Sequence, residues 1–124
     1  MTRSLRTLKD ITSQEFAQIL DRTGRVKAAI KSRTPIGSLD NRVVALLFEK
    51  PSTRTRASFE SAIARLGGTP VYLPSADLQM KRGEPVKDTA RMFGSYFDAI
   101  VARVYSHKTI MELEEFAGVP IING

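Results

Sequence analysis

Apolar residues in the chain alternate between short continuous runs and longer stretches with helical spacing. The clearest run is Val43–Phe48, which contains no polar position. A continuous apolar run of this length predicts a strand that is covered on both faces, as strands of parallel sheets usually are. Shorter apolar runs lie at residues 71–73, 99–102 and 120–122. We therefore expect four strands.

Four further stretches have apolar positions three and four residues apart, which predicts helices. The first helix is predicted to start at Thr12, because Thr12 and Glu15 have the spacing of a capping box. It is predicted to end before the Pro-Ile-Gly sequence of residues 35–37. The apolar positions of the other three helices are Phe59, Ala62, Ile63 and Leu66; Val86, Ala90, Phe93 and Phe97; and Ile110, Leu113 and Ala117.

Strands and helices alternate along the chain, with strands starting near residues 43, 71 and 99. This order is typical of βαβ units with right-handed crossovers. We predict an α/β fold of the three-layer αβα type, with a four-stranded parallel sheet flanked by helices. The length of 124 residues corresponds to one domain, residues 1–124. Residues 74–84 are polar without periodicity and predict a long exposed loop.

Composition excludes several classes of site. Hydrophobic residues make up 42% of the chain and charged residues 26%, which is typical of a globular domain. No apolar run approaches the roughly 20 residues of a membrane helix. The absence of cysteine excludes disulfides, thiolate metal sites and a cysteine nucleophile, and a single histidine excludes a histidine-rich zinc site. We expect no metal, no cofactor and no membrane partner.

The net charge of +6 and the pI near 10.0 predict an anionic partner. Nucleic acid, an acidic membrane surface and a phosphorylated small molecule all fit this charge. Nucleic acid is disfavoured because the basic residues are scattered and no aromatic RNA-binding motif is present. The N-terminus has no apolar segment of a secretory signal, so we expect a cytoplasmic protein.

The main candidate for chemistry is the sequence Glu-Lys-Pro-Ser-Thr-Arg-Thr-Arg at residues 49–56, between the first strand and the second helix. Ligands of open α/β sheets bind at the carboxyl ends of strands, and helix N-termini attract anions. Ser52, Thr53 and Thr55 offer hydroxyl groups, and Arg54 offers a planar fork that matches phosphate oxygens. The run therefore predicts a phosphate cradle, although it lacks the glycines of a Walker loop.

A simpler interpretation of the same residues also stands. A serine or threonine before a helix is most often an N-cap, worth about 1 kcal/mol, and an arginine there is usually solvated. Arg54 and Arg56 both oppose the helix dipole, a conflict that is often tolerated for function.

Two further candidates lie elsewhere in the chain. Arg103 follows residues 99–102 and is predicted at the same sheet edge as the phosphate cradle. His107, four residues later, is more simply interpreted as an exposed histidine at a helix start. The loop with Lys81 and Arg82 is either a connector, a lid or a segment that reaches a neighbouring subunit.

The sequence Phe-Glu-Lys-Pro-Ser-Thr-Arg-Thr-Arg-Ala-Ser-Phe-Glu at residues 48–60 resembles the carbamoyl-phosphate signature of the transcarbamylases. Asp-Leu-Gln at 77–79, Arg-Gly-Glu at 82–84 and Asp-Thr-Ala-Arg at 88–91 resemble the ornithine carbamoyltransferase branch. Residues 102–107 and 119–124 continue this match. The aspartate branch shares Ser-Thr-Arg-Thr-Arg, but its loop carries serines and a lysine and is the weaker match.

The resemblance implies transfer of a carbamoyl group from carbamoyl phosphate to the δ-amine of ornithine, which gives citrulline and phosphate in arginine biosynthesis. It implies a trimer with sites between subunits and no cofactor. The carbamoyl phosphate residues implied by the match are Ser52, Thr53, Arg54, Thr55, Gln79 and Arg103, with Gln79 acting across a subunit boundary. Arg54, Thr55 and Arg103 are the implied catalytic residues.

The chain departs from this family in length. Family members are more than twice as long and continue into a His-Pro-x-Gln segment and a second, ornithine-binding domain. We therefore expect residues 1–124 to be the carbamoyl-phosphate-binding domain alone, without turnover. Lys81 also stands where many relatives have a small residue. The alternatives are a non-catalytic oligomerisation module and a fragment of an aspartate carbamoyltransferase.

Overall fold

Parallel strands form the sheet that the apolar runs predict. The computed structural model describes residues 3–74 and 85–124. Within these ranges the strands are β1 (Val43–Phe48), β2 (Thr69–Pro74), β3 (Ala99–Arg103) and β4 (Ile121–Asn123). They pair in the order β2-β1-β3-β4, and every pairing is parallel. The predicted four-stranded parallel sheet is confirmed.

The helices lie between the strands in chain order. They are α1 (Ser13–Lys31), α2 (Thr53–Arg65), α3 (Val86–Tyr96) and α4 (His107–Ala117), preceded by a short 3-10 helix at Leu8–Asp10. The capping box predicted at the start of α1 is present. Thr12 accepts a hydrogen bond from the Glu15 N–H at 3.1 Å, and the Glu15 carboxylate accepts one from the Thr12 N–H at 3.0 Å.

Side chains alternate between the two faces of the sheet, so the core has two parts. Ala45 and Leu47 of β1 pack with buried residues of α3 and α4. Val44, Leu46 and Phe48 of the same strand pack with the α2 side of the molecule. Helices therefore cover both faces, which confirms the three-layer αβα arrangement.

The order in which strands are added to the sheet reverses between β1 and β3. From β1 the chain crosses by α2 to β2 on one side, and from β2 it crosses by α3 to β3 on the other side. Such a reversal opens a crevice outside the carboxyl ends of the two strands, where ligands of open α/β sheets bind. Residues 49–56 and Arg103 border this crevice.

The N-terminal segment extends the sheet beyond β4. The Leu5 N–H donates to the Ile121 carbonyl at 2.9 Å, and the Asn123 N–H donates to the Leu5 carbonyl at 2.9 Å. Ser4 is buried and its hydroxyl accepts the Ile121 N–H at 2.9 Å. These bonds cover the edge of β4, a contact that the hydrophobic pattern does not predict.

The helix α1 stands apart from the rest of the fold. It contains no buried residue, and Phe16, Ile19 and Leu20 are about half exposed. An apolar groove of about 840 Å³ separates it from α2 and β4, with Ile19, Leu66 and Ile122 among its lining residues.

No helix within residues 3–74 and 85–124 is both long and apolar enough to cross a bilayer.

Candidate functional site

The first turn of α2 is organised by Ser52, which is its N-cap. The Ser52 hydroxyl accepts the Thr55 N–H at 3.3 Å and donates to the Thr55 hydroxyl at 2.9 Å. The Ser52 carbonyl accepts the Arg56 N–H at 2.9 Å. The N-cap and phosphate-cradle interpretations of Ser52 are therefore compatible, since the residue that caps the helix also fixes the turn that faces the crevice.

Two backbone donors remain at the start of α2. The N–H groups of Thr53 and Arg54 donate to no acceptor within the described part of the chain. The Arg54 side chain is exposed and makes no hydrogen bond or ion pair with a described residue. Free N–H groups at a helix N-terminus beside a guanidinium form an arrangement that binds oxyanions.

Arg103 ends β3 and is the register partner of Phe48, which ends β1. The sequence predicted Arg103 just after the strand, whereas the structure includes it in the strand. Its carbonyl accepts the N–H groups of Glu49 and Lys50 at 2.8 and 3.4 Å, which ties the loop after β1 to β3. Its side chain is half-buried, and its Nε has no hydrogen-bond partner among the described residues.

A polar pocket of about 270 Å³ lies at the carboxyl ends of β3 and β4, and we call it the Arg103 pocket. His107 is exposed at the first position of α4, as predicted. Within the described residues, no group of three or more His, Asp and Glu side chains is placed to hold a metal ion. The lining residues are Lys50, Arg103, Val104, Tyr105, Ser106, His107, Ile110, Asn123 and Gly124.

Arg56 has a different role from Arg54, although the sequence places both in the first turn of the helix. Its guanidinium lies 3.5 Å from the ring centroid of Tyr72 on β2, and its Nε donates to Glu60 at 3.0 Å. Arg56 therefore joins α2 to β2. Of the two arginines that oppose the helix dipole, only Arg54 lacks a described partner.

The site predicted from the sequence is brought together in part. Ser52, Thr53, Arg54 and Thr55 form the first turn of α2, and Arg103 lies on the neighbouring strand. Gln79 and Lys81 lie outside the described residues. The sequence pattern does not single out Lys50, which lines the Arg103 pocket, because a lysine in a loop after a strand is usually solvated.

Comparison with known proteins assigns this architecture to one family. Residues 3–124 match the family model described as aspartate/ornithine carbamoyltransferase, carbamoyl-P binding domain. The ornithine carbamoyltransferase of Pyrococcus abyssi is 48% identical over 122 residues, which are 98% of this chain and 38% of that protein.

Two solved structures of this family have the same fold. The ornithine carbamoyltransferase from Pyrococcus furiosus superposes with a TM-score of 0.93 at 48% identity, over 98% of this chain and 39% of that one. The catalytic subunit of M. jannaschii aspartate transcarbamoylase superposes with a TM-score of 0.89 at 35% identity, over 98% and 40% of the two chains. This chain thus spans about two fifths of the length of the relatives it matches.

Proposed function

The chain belongs to the aspartate/ornithine carbamoyltransferase family, and from this premise we propose that it is the carbamoyl-phosphate-binding domain of an ornithine carbamoyltransferase. The complete enzyme of this proposal transfers the carbamoyl group of carbamoyl phosphate to ornithine, which gives citrulline and phosphate for arginine biosynthesis. Residues 3–124 match the carbamoyl-P binding domain and span about two fifths of the length of the relatives, so we propose that the chain alone has no turnover.

The observation that carries this proposal is the position of the cradle of residues 52–55 beside Arg103. The cradle follows β1 and Arg103 ends β3. These two neighbouring strands border the point where the order of strand addition reverses. Two backbone donors at the start of α2 and the Arg54 guanidinium are free to bind a phosphate group.

The proposed chemistry is an attack of the neutral amine on the carbamoyl carbon. A new N–C bond forms, the C–O bond to phosphate breaks, and the leaving phosphate accepts the proton that the amine releases. Negative charge first grows on the carbonyl oxygen and then on the leaving phosphate. The Thr55 hydroxyl and Arg103 stabilise the carbonyl oxygen, and one such donor is typically worth about 3–4 kcal/mol.

The leaving phosphate is held by the other part of the cradle. Ser52 fixes the turn through its two bonds to Thr55. The Thr53 hydroxyl and the planar pair of Arg54 N–H groups donate to the phosphate, and the helix N-terminus contributes its dipole. Because these donors are fixed before the reaction, they stabilise the developing charge without reorganisation. We further propose that Gln79 completes the site from a neighbouring subunit in a cytoplasmic trimer.

Titration of the purified chain tests the binding function. Calorimetry with carbamoyl phosphate is expected to show saturable binding that Arg54→Ala abolishes. Arg65→Ala, in the last turn of the same helix, removes the same charge far from the crevice and is expected to keep wild-type affinity. Equal affinities for all three proteins would contradict the proposal. A citrulline assay is expected to detect no turnover, and turnover at the rate of a full-length relative would contradict that part.

An alternative function rests on the exposed face of α1. The apolar groove beside α1 favours association with another protein surface, as a non-catalytic oligomerisation module would require. Such a module binds no ligand, so the same titration separates it from the domain proposed here. The aspartate branch, favoured by the structural match to an aspartate transcarbamoylase, is separated by whether a complete enzyme carbamoylates ornithine or aspartate.

A further inference from the structure

Two basic side chains line the Arg103 pocket. Lys50 and Arg103 both line it, together with the hydroxyl-bearing Ser106 and the amide-bearing Asn123. No Asp or Glu side chain occurs among the described residues that line the pocket. Two basic side chains that share a concave polar surface with no acidic side chain favour positive potential, which concentrates anions.

The position of Lys50 is fixed from both ends of the residue. Its backbone N–H donates to the Arg103 carbonyl at 3.4 Å. Its Nζ lies 5.3 Å from the ring centroid of Tyr105, within the range of a cation–π contact. Lys50 is half-buried, and its ammonium group lies beside the exposed ring of Tyr105, which lines the same pocket.

Arg103 supplies an independent sign that a ligand belongs here. Its Nε is buried and has no hydrogen-bond partner among the described residues. A buried donor without a partner is costly, and an oxyanion in the pocket would satisfy it. Lys50 lines the same pocket.

We propose that Lys50 is a further anion-binding residue, which contacts from the Arg103 pocket the same oxyanion ligand that Arg103 contacts. This inference rests on the proposed function, because it adds a residue to the carbamoyl phosphate site. The ligand chemistry is a phosphate or carbamoyl oxygen that carries negative charge. Lys50 adds a point charge to the planar fork of Arg103, so the pair holds the ligand from two directions.

The test is a titration of the 124-residue chain with inorganic phosphate and with carbamoyl phosphate, followed by calorimetry and by amide chemical shifts. Lys50→Met is expected to weaken phosphate binding about tenfold, the effect of losing one charge-assisted hydrogen bond. Lys50→Arg keeps the charge and is expected to recover most of the affinity. Lys9→Met is the matched control, since it removes the same charge from an exposed position outside the pocket. Thermal unfolding without ligand confirms that each variant is folded.

The outcomes separate this inference from the proposed function. Weaker binding in Lys50→Met, with shifts at residues 103–107 on adding phosphate, supports the inference. Equal affinities of Lys50→Met and Lys9→Met, with Arg54→Ala still impaired, overturn the inference and leave the proposed function intact. A loss in Lys50→Met without a loss in Arg54→Ala supports the pocket and overturns the cradle. No binding of either ligand by the wild-type chain overturns both.

Discussion

Phe48 and Arg103, the last residues of β1 and β3, are register partners at the centre of the sheet. This pairing brings the loop after β1 and the guanidinium of Arg103 to one edge. The Arg103 carbonyl strengthens the connection, because it accepts two N–H groups of that loop. The anion site therefore depends on strand register. Substitutions at this edge are expected to change anion affinity, whereas substitutions in the core are expected to change the stability of the fold.

Because Ser52 is a helix N-cap that also faces the proposed anion site, two substitutions of it are expected to separate stability from phosphate binding. Ser52→Ala removes the cap bond to Thr55 and is expected to lower the free energy of unfolding by about 1 kcal/mol. Ser52→Asp keeps a good cap and is expected to stay near wild-type stability, but its charge repels phosphate. Urea unfolding and calorimetric titration check both values, and phosphate binding by Ser52→Asp at wild-type affinity would contradict the site.

The two arginines of the first helical turn are expected to respond in opposite ways. Arg56→Met removes the stacking on Tyr72 and the ion pair with Glu60, and is expected to destabilise the fold by about 1 kcal/mol while phosphate affinity stays unchanged. Arg54→Met is expected to leave stability unchanged and to impair phosphate binding. Denaturant unfolding and calorimetry of both variants check this pair, and the reverse pattern would show that the roles are exchanged.

Close packing of α3 against α4 predicts a strong effect at Gly94. A Cβ at Gly94 would lie 1.8 Å from the Ala117 carbonyl oxygen. Gly94→Ala is therefore expected to lower the free energy of unfolding by at least about 1–3 kcal/mol. Gly24 on α1 is the control, because a Cβ there meets no atom within 4 Å. Gly24→Ala is expected to stabilise the helix by about 0.5–1 kcal/mol. Equal melting temperatures of the two variants would contradict the packing.

The start of α1 predicts a dependence of stability on acidic pH. The Arg3 side chain, followed by the Thr12 N–H, lowers the pKa of Glu15 from 4.5 to about 2. Because the pKa is lower in the folded state, this stabilisation is present above pH 4.5 and is lost as the pH falls towards 2. Glu15→Gln is expected to flatten this part of the curve of unfolding free energy against pH. An unchanged curve would show that Glu15 titrates normally.

The strands show which parts of the fold the hydrophobic pattern predicts and which parts it does not. The run Val43–Phe48 predicts β1 without ambiguity, because both faces of the strand are buried and every position is apolar. For β2 the prediction of residues 71–73 is too short, since the strand includes Pro70 and Pro74. An edge strand tolerates proline, but whether a strand is at the edge follows from topology, which the pattern does not specify.

The candidate site shows the same division. The hydroxyl groups and Arg54 of the cradle are predicted because they lie together in the sequence at a helix start. The partners of Arg56 and Lys50 are not, because Tyr72 and Tyr105 reach them only through strand register and loop position. The pairing of Leu5 with Ile122 joins residues at opposite ends of the chain, and a single pair leaves no periodic signal.

A crystal structure of the chain with inorganic phosphate tests the central claim most directly. The account predicts phosphate at the N-terminus of α2, bound by the N–H groups of Thr53 and Arg54 and by the Arg54 guanidinium, with Arg103 beside it. Crystals soaked in phosphate that show no anion there, with the Arg54 side chain turned into bulk solvent, would contradict the account.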